Sequence, residues 1–436
     1  MFVFHSMSIN YSLRFKKLNI AHKVLVEKEG EIVFSQKYFI LKGKGAHDQG
    51  ETFYFTDIKE LRTESDTFIF TTFHREQVIL SAFGTSMENF FRDFYRLKNL
   101  FFAEHLFMKV GMLLQEFDCG IEYVNQFSKT VTKGRAKMQI YEGSIVFFPE
   151  IGDAFTVYLN FLKNHEFHED EYVLEMEIDN GCKVLVSKLG SQFEDCQQAV
   201  ESCMGKMYER VLNQLNQVLP GFSLQALLKL AYQIRSGRCV PVQSLKKIDA
   251  TLPERVFDLA LKDNPLLQEK IQFLRSLDKD EQFDVGFCFE NVDGGRDVKV
   301  KAWFLCALPS KNTFVLGIST NEKDLQTYFF RIVMEQGTPK ERMAGKILEI
   351  NQCMVLFDYD LSPLFKDKNE LKKSKYRVAV LKLAFLRLLR RSFLGKSQAA
   401  VLEAFKGDAE RFFAQALALR KPVLRHRQMF GPVGRR

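Results

Sequence analysis

The chain of 436 residues is 46% hydrophobic and 27% charged with only 10 prolines; this composition excludes disordered, collagen-like and low-complexity classes and suits about two to four globular domains. Its net charge of +8 is uneven: Leu371 to Arg436 holds 17 Lys and Arg against Glu403, Asp408 and Glu410, a local net of +14 that leaves the first 370 residues at −6. Through such a basic end a mildly acidic body can approach nucleic acid or an anionic membrane surface, unless the charges only solvate a helix face.

The eight cysteines (Cys119, Cys182, Cys196, Cys203, Cys239, Cys288, Cys306 and Cys353) include no C-x-x-C pair. Their scatter argues against a disulfide framework or zinc ribbon and for a reducing compartment. Met1 to Asn10 has no sustained apolar core, and Arg14, Lys16 and Lys17 follow closely, so no secretory leader is expected there. Leu100 to Leu114 is interrupted by Glu104, His105 and Lys109, and no uncharged apolar run reaches membrane-spanning length. The expected location is the cytoplasm, with a peripheral membrane position as the alternative.

In chain order, strands are expected at Lys37 to Leu41, Thr52 to Asp57, Thr67 to Thr72 and Glu76 to Ala82, followed by a helix from Ser86 to about Phe117 with Phe90, Phe94, Leu97 and Phe101 on one stripe. The pattern then recurs at a separation of 106 residues. Val78-Ile79-Leu80-Ser81-Ala82-Phe83-Gly84-Thr85 corresponds to Val184-Leu185-Val186-Ser187-Lys188-Leu189-Gly190-Ser191, and Glu88-Asn89 to Glu194-Asp195. Thr or Ser with Glu three residues later predicts a capping box at each helix start. The second copy reads as strands at Ala136 to Ile140, Ser144 to Phe148, Thr156 to Phe161, Tyr172 to Ile178 and Cys182 to Ser187, then a helix from Gln192 to about Leu219. Cys196, Val200, Cys203 and Met207 form its apolar stripe, which makes Cys196 and Cys203 small buried hydrophobes rather than ligands.

An antiparallel meander closed by one amphipathic helix, with the strand-Gly-helix junction at Leu80 to Asn89 repeated at Val186 to Asp195, resembles the pleckstrin-homology (PH) superfold, including its GRAM-like and bacterial PH-like relatives. The resemblance covers about 200 residues. It implies binding of lipid headgroups, peptides or proteins and no enzymatic activity, and the tandem arrangement resembles the paired PH-like domains of histone chaperones and other scaffolds. Lys37, Lys42, Lys44 and His47 form the basic loop that the resemblance suggests for anion binding, although no Arg completes the pattern and the closing helix lacks Trp; a solvated glycine-rich hairpin is the alternative.

Further along, Ser223 is expected to cap a helix over Leu224 to Ile234, and Pro253 and Pro265 to start two more. A helix-turn-helix would put Gln243 to Lys247 near its turn; a plain helical connector fits equally. Strands return at Phe283 to Glu290, Val298 to Ala307, Thr313 to Thr320 and Leu325 to Val333, followed by a helix from Thr338 to about Gln352 and a strand at Met354 to Asp358. A helix from Leu371 to Lys396 would present Arg377, Lys382, Arg387, Arg390 and Arg391 opposite Val378, Leu381, Phe385 and Leu388, suited to an anionic surface or to closing the domain.

The expected class is therefore α+β: PH-like half-barrels over 10–117 and 118–220, each closed by a C-terminal helix, a helical connector over 221–280, an α+β domain over 281–396 with a third PH-like domain as the alternative, and a basic helix and tail over 397–436. His165-Glu166-Phe167-His168 is too poor in ligands for a zinc site, and no nucleotide-binding or nucleophile motif is present, so neither metal, cofactor nor catalytic residue is assigned. The reading is a non-enzymatic scaffold for a protein or peptide partner; the alternative is anionic-lipid or nucleic-acid binding through the basic C-terminal region. No small-molecule substrate is expected.

Overall fold

The computed structural model describes residues 9–45, 48–235, 237–261, 265–277, 282–292, 297–320, 324–332, 339–399 and 401–418. The chain divides into two compact units, residues 1–203 with 373–382 and residues 204–372 with 383–436.

The first unit contains two antiparallel sheets of seven strands. Strands β1 (Asn10–Leu18), β2 (Val24–Phe34), β3 (Tyr38–Gly43), β4 (Glu51–Tyr54), β5 (Ile58–Glu64), β6 (Thr67–Thr72) and β7 (Gln77–Ser81) pair in the order β4-β3-β2-β1-β7-β6-β5. β4 and β5 are the two edges, yet a single 3-10 turn, Phe55–Asp57, joins them. A flat sheet of this size would hold its edges about 29 Å apart, whereas three residues reach only about 10 Å. The sheet therefore curls into a half-barrel. Helix α1 (Met87–His105) lines it with Phe90 and Phe94, whose rings meet Phe34, Phe39, Phe55 and Phe68 in mostly edge-on contacts.

β8 (Leu113–Val124), β9 (Thr130–Tyr141), β10 (Ser144–Pro149), β11 (Phe155–Tyr158), β12 (Leu162–His168), β13 (Val173–Ile178) and β14 (Lys183–Ser187) form the second sheet, in the order β11-β10-β9-β8-β14-β13-β12. Its edges are again joined by one 3-10 turn, Leu159–Phe161, and helix α2 (Phe193–Val218) follows it as α1 follows β7.

Three expectations fail here. The first helix stops at His105 rather than near Phe117: Phe107 takes φ 56° and Gly111 φ 81°, and from Leu113 the chain is a strand burying Phe117, Cys119 and Ile121 at period two. β1 and β2 were not anticipated: Arg14, Lys16 and Lys17 on one strand and Glu27, Lys28 and Glu29 on the other read as a charged segment, whereas in the sheet Arg14 faces Glu29 and Lys16 faces Glu27 across the pair. The capping box does not form at α1, where a 3-10 turn, Gly84–Ser86, precedes the helix and Ser86 at its N-cap makes no side-chain bond. The junctions are set instead by left-handed residues at equivalent places, Ala82 and Gly84 in one copy and Lys188 and Gly190 in the other.

The second unit is built on one six-stranded antiparallel sheet of different order, β15 (Val240–Pro241), β16 (Gln282–Val292), β17 (Asp297–Leu308), β18 (Thr313–Thr320), β19 (Asp324–Arg331) and β20 (Phe393–Ser397) in sequence. Its core joins Phe283, Phe304, Val315 and Phe329 to helices α3 (Leu224–Ile234), α4 (Val242–Ile248), α5 (Leu252–Leu261), α6 (Pro265–Ser276) and α12 (Leu402–Ala418). Trp303 and Phe304 each lie over a cross-strand glycine, Gly286 and Gly317, where a Cβ would come within 2.2 Å and 2.1 Å of the ring. Ser223 caps α3 by accepting from Ala226 N at 3.2 Å.

Gln243 to Lys247 lie within α4 rather than at a turn. Met354 to Asp358 is not a strand, because α7 (Pro339–Leu356) runs through its start. The single helix expected from Leu371 to Lys396 is broken into α9 (Lys368–Lys372, after the short α8, Ser362–Phe365), α10 (Arg377–Lys382), α11 (Ala384–Ser392) and β20; extended backbone at Leu383 and Phe393 bounds α11 on either side. Although 397–436 was assigned to a basic helix and tail, α12 buries Phe405, Ala409, Phe412, Phe413 and Ala416 in the core; residues 419–436 lie outside the described residues.

Candidate functional site

The first unit contains an open groove of about 760 Å³ between the polar face of α1 and strands β8 to β10. Five cations, Arg92, Arg96, Arg135, Lys137 and Lys188, line it against two carboxylates, Asp118 and Glu150. Cys119, Ala136, Phe148 and Pro149 supply apolar surface, and Leu100 stands 41% exposed at its side.

The walls are held by buried polar contacts. On α1, Asn99 is 1% exposed; its Nδ2 donates to Gly152 O at 2.9 Å and its Oδ1 accepts from Ala154 N at 3.0 Å, while Lys98 pairs with Asp153. Both side chains tie the β10–β11 connection to α1. Across the groove the left-handed Lys188 lays its stem along Gly120, where a Cβ would sit 3.2 Å from Lys188 Cδ. β8, β9 and β10 each have strand neighbours on both sides, so their backbone groups are engaged in the sheet and a ligand would be held by side chains.

The cations differ in availability. Arg92 pairs with Glu88 at 2.8 Å, Arg96 with Asp93 at 2.9 Å, and Lys137 with Glu116 at 2.7 Å. The hydrogen bond from Lys137 holds the Glu116 carboxyl below its usual range and, reciprocally, raises the Lys137 ammonium. Arg135 and Lys188 are exposed and make no ion pair among the described residues.

The residues proposed from sequence lie on several elements, with Arg387, Arg390 and Arg391 together on α11. Lys37 is exposed, Lys42 lies on β3 opposite Glu31, and Lys44 is paired with Glu29 at 2.7 Å; His47 lies outside the described residues. Within the same loop Asp48 binds Lys28 and accepts from Gly43 N and Gly50 N, and these contacts hold its carboxyl below the usual range. Of the proposed loop cations, Lys44 is thus countered by a carboxylate of β2, while the loop's own Asp48 is taken up by Lys28. Arg377 and Lys382 belong to the first unit, and Arg387, Arg390 and Arg391 to the second. Lys382 donates to Ile58 O and lies 4.6 Å from the Phe73 ring centroid, and Arg390 donates to Lys366 O at 2.8 Å. His165 and His168 sit on β12 at a spacing that puts them on opposite faces of the strand.

None of the five groove cations was singled out from sequence. Their signal is faint: Arg92 and Arg96 at i, i+4 opposite the Phe stripe of α1, and Arg135 and Lys137 at alternate positions of β9. No family model matches the chain, and no curated protein matches it at a significant level. Among the described residues, no helix is long and apolar enough to cross a membrane.

Proposed function

We propose that the protein is a non-enzymatic adaptor whose first unit holds an acidic, partly apolar segment of a partner protein in the groove between α1 and β8 to β10. The observation that carries this is the groove itself: a cavity of ligand size, about 760 Å³, with five cations around an apolar floor and two of those cations in no ion pair among the described residues. An extended peptide with Asp or Glu flanking Leu or Phe complements it. The recurrence of one strand order with a following helix supports reading both half-barrels as PH-like modules, a superfold of binding domains.

The test is fluorescence anisotropy of a labelled peptide alternating glutamate and leucine, titrated with the full chain beside a lysine-for-glutamate peptide, duplex DNA and phosphatidylserine vesicles. Exposed ion pairs contribute about 0.2–1 kcal/mol each, so the double charge reversal Arg135→Glu with Lys188→Glu should weaken the acidic peptide about ten-fold, and added salt should weaken the wild type. Undiminished peptide binding by the double variant overturns the assignment. So does preference for vesicles or DNA, which would move the function to the anionic surface read as the alternative.

A further inference from the structure

The second unit carries an independent surface. Its helix α3 buries Ala226, Leu227, Leu230, Ala231 and Ile234, as an amphipathic helix should, but its opposite face is also apolar: Leu224, Leu228 and Tyr232 are 64%, 48% and 54% exposed. Spaced four apart, they form one ridge about 12 Å long. Tyr232 is kept in place by parallel stacking on Tyr208, ring centroids 5.8 Å apart. A shallow trough of about 440 Å³ separates this ridge from the end of α4, lined by Leu228, Lys229, Tyr232, Gln233, Lys247 and Ile248.

A further observation says what kind of ligand fits. Lys229 and Lys247 line the trough and make no ion pair among the described residues. Carboxylates are favoured in the first turn of a helix, beside its free N–H groups, so a helix that begins with acidic residues complements these two cations.

We propose that the α3–α4 trough docks an amphipathic helix of a partner protein, with leucines at i, i+4 and i+8 against Leu224, Leu228 and Tyr232 and an acidic first turn against Lys229 and Lys247. This is helix-in-groove recognition. It differs from the groove of the first unit in its occupant's conformation and in the residues used.

The probe is a helix-stabilised peptide with that leucine spacing and glutamates in its first turn, titrated by anisotropy into the full chain, beside an isomer of the same composition with the leucine spacing scrambled. The wild type should prefer the ordered peptide. Leu228→Asp should weaken it about ten-fold or more, the loss expected for one leucine anchor, and Lys229→Glu with Lys247→Glu should weaken it while leaving the fold intact at two exposed positions. Arg135→Glu with Lys188→Glu, in the other unit, should leave this binding unchanged, so failure of one site is distinguishable from failure of the other. Equal affinity for the scrambled isomer overturns the proposal, as does unchanged affinity in both trough variants. Capture of phosphatidylserine vesicles that depends on Leu228, without peptide binding, overturns it in favour of a lipid surface.

Discussion

Replacing Lys270 with methionine should stabilise the second unit. Lys270 lies on α6, its side chain fully buried at 0% exposure, with Nζ 4.7 Å from the Phe405 ring centroid and no hydrogen-bond partner among the described residues. Burial lowers its ammonium from 10.5 to about 8, opposed by the charge of Asp408 on α12. At about 1.4 kcal/mol per pH unit, that difference amounts to about 3 kcal/mol lost at neutral pH. Lys270→Met keeps an unbranched stem of similar volume and removes the charge, so it should recover most of that amount.

The sign follows from proton counting. Between pH about 8 and 10.5 the unfolded chain retains a proton that the folded amine has released, so wild-type stability rises with pH across that window. Below about pH 8 both states are protonated and the full penalty is present; near pH 10.5 it vanishes. Urea unfolding followed by the emission of Trp303, the chain's only tryptophan and 3% exposed in the second unit, measures both proteins at pH 7 and pH 10. Groups common to the two proteins cancel in the difference. The gap should be about 3 kcal/mol at pH 7 and shrink to well under half of that at pH 10. A gap that does not change with pH, or a methionine variant less stable at pH 7, refutes the reasoning.

Asn99→Ala removes two bonds to the β10–β11 connection and leaves Gly152 O and Ala154 N without them; it should cost about 2–4 kcal/mol in urea unfolding and speed hydrogen exchange at the Ala154 amide. Gly286→Ala would drive a Cβ to 2.2 Å from Trp303 Cε2; a loss of about 1–3 kcal/mol and a shifted Trp303 emission are expected. Burial pushes the thiols of Cys119 and Cys196 up to about 12, so neither should react with a disulfide reagent at pH 8 until the chain is unfolded, as mass mapping of the labelled cysteines will report.

The parts of the fold that were legible are those where one apolar period runs through a whole element. Phe90 and Phe94 marked the buried face of α1, and Cys196 and Val200 that of α2. Where a strand is apolar over only half its length the signal fails. β2 buries Gly30, Ile32 and Phe34 but exposes nearly all of Val24 to Glu29, and β9 is exposed or half-exposed from Thr130 to Arg135. These outer halves are stabilised by cross-strand ion pairs such as Lys133 with Glu122, which look like loop composition when read as a string. The break of the basic helix at Leu383 had no local mark either: neither Gly nor Pro stands there, and extended φ and ψ at one leucine divide α10 from α11.

The groove was hidden for a related reason. Periodicity assigns residues to faces, and both walls lie on faces it assigns to solvent: Arg92 and Arg96 opposite the Phe stripe of α1, Arg135 and Lys137 outward on β9. That these two polar faces confront each other follows from three residues, Lys98, Asn99 and Asp153, which join α1 to the β10–β11 connection. Lys98 and Asn99 are themselves polar residues buried within a helix, 5% and 1% exposed. Burying such groups is unfavourable unless each finds its partner, so their placement selects one arrangement of the helix against the second sheet. The cations of the groove are held at a fixed spacing by that arrangement, while the sheet backbone beneath them stays closed to competing strand pairing.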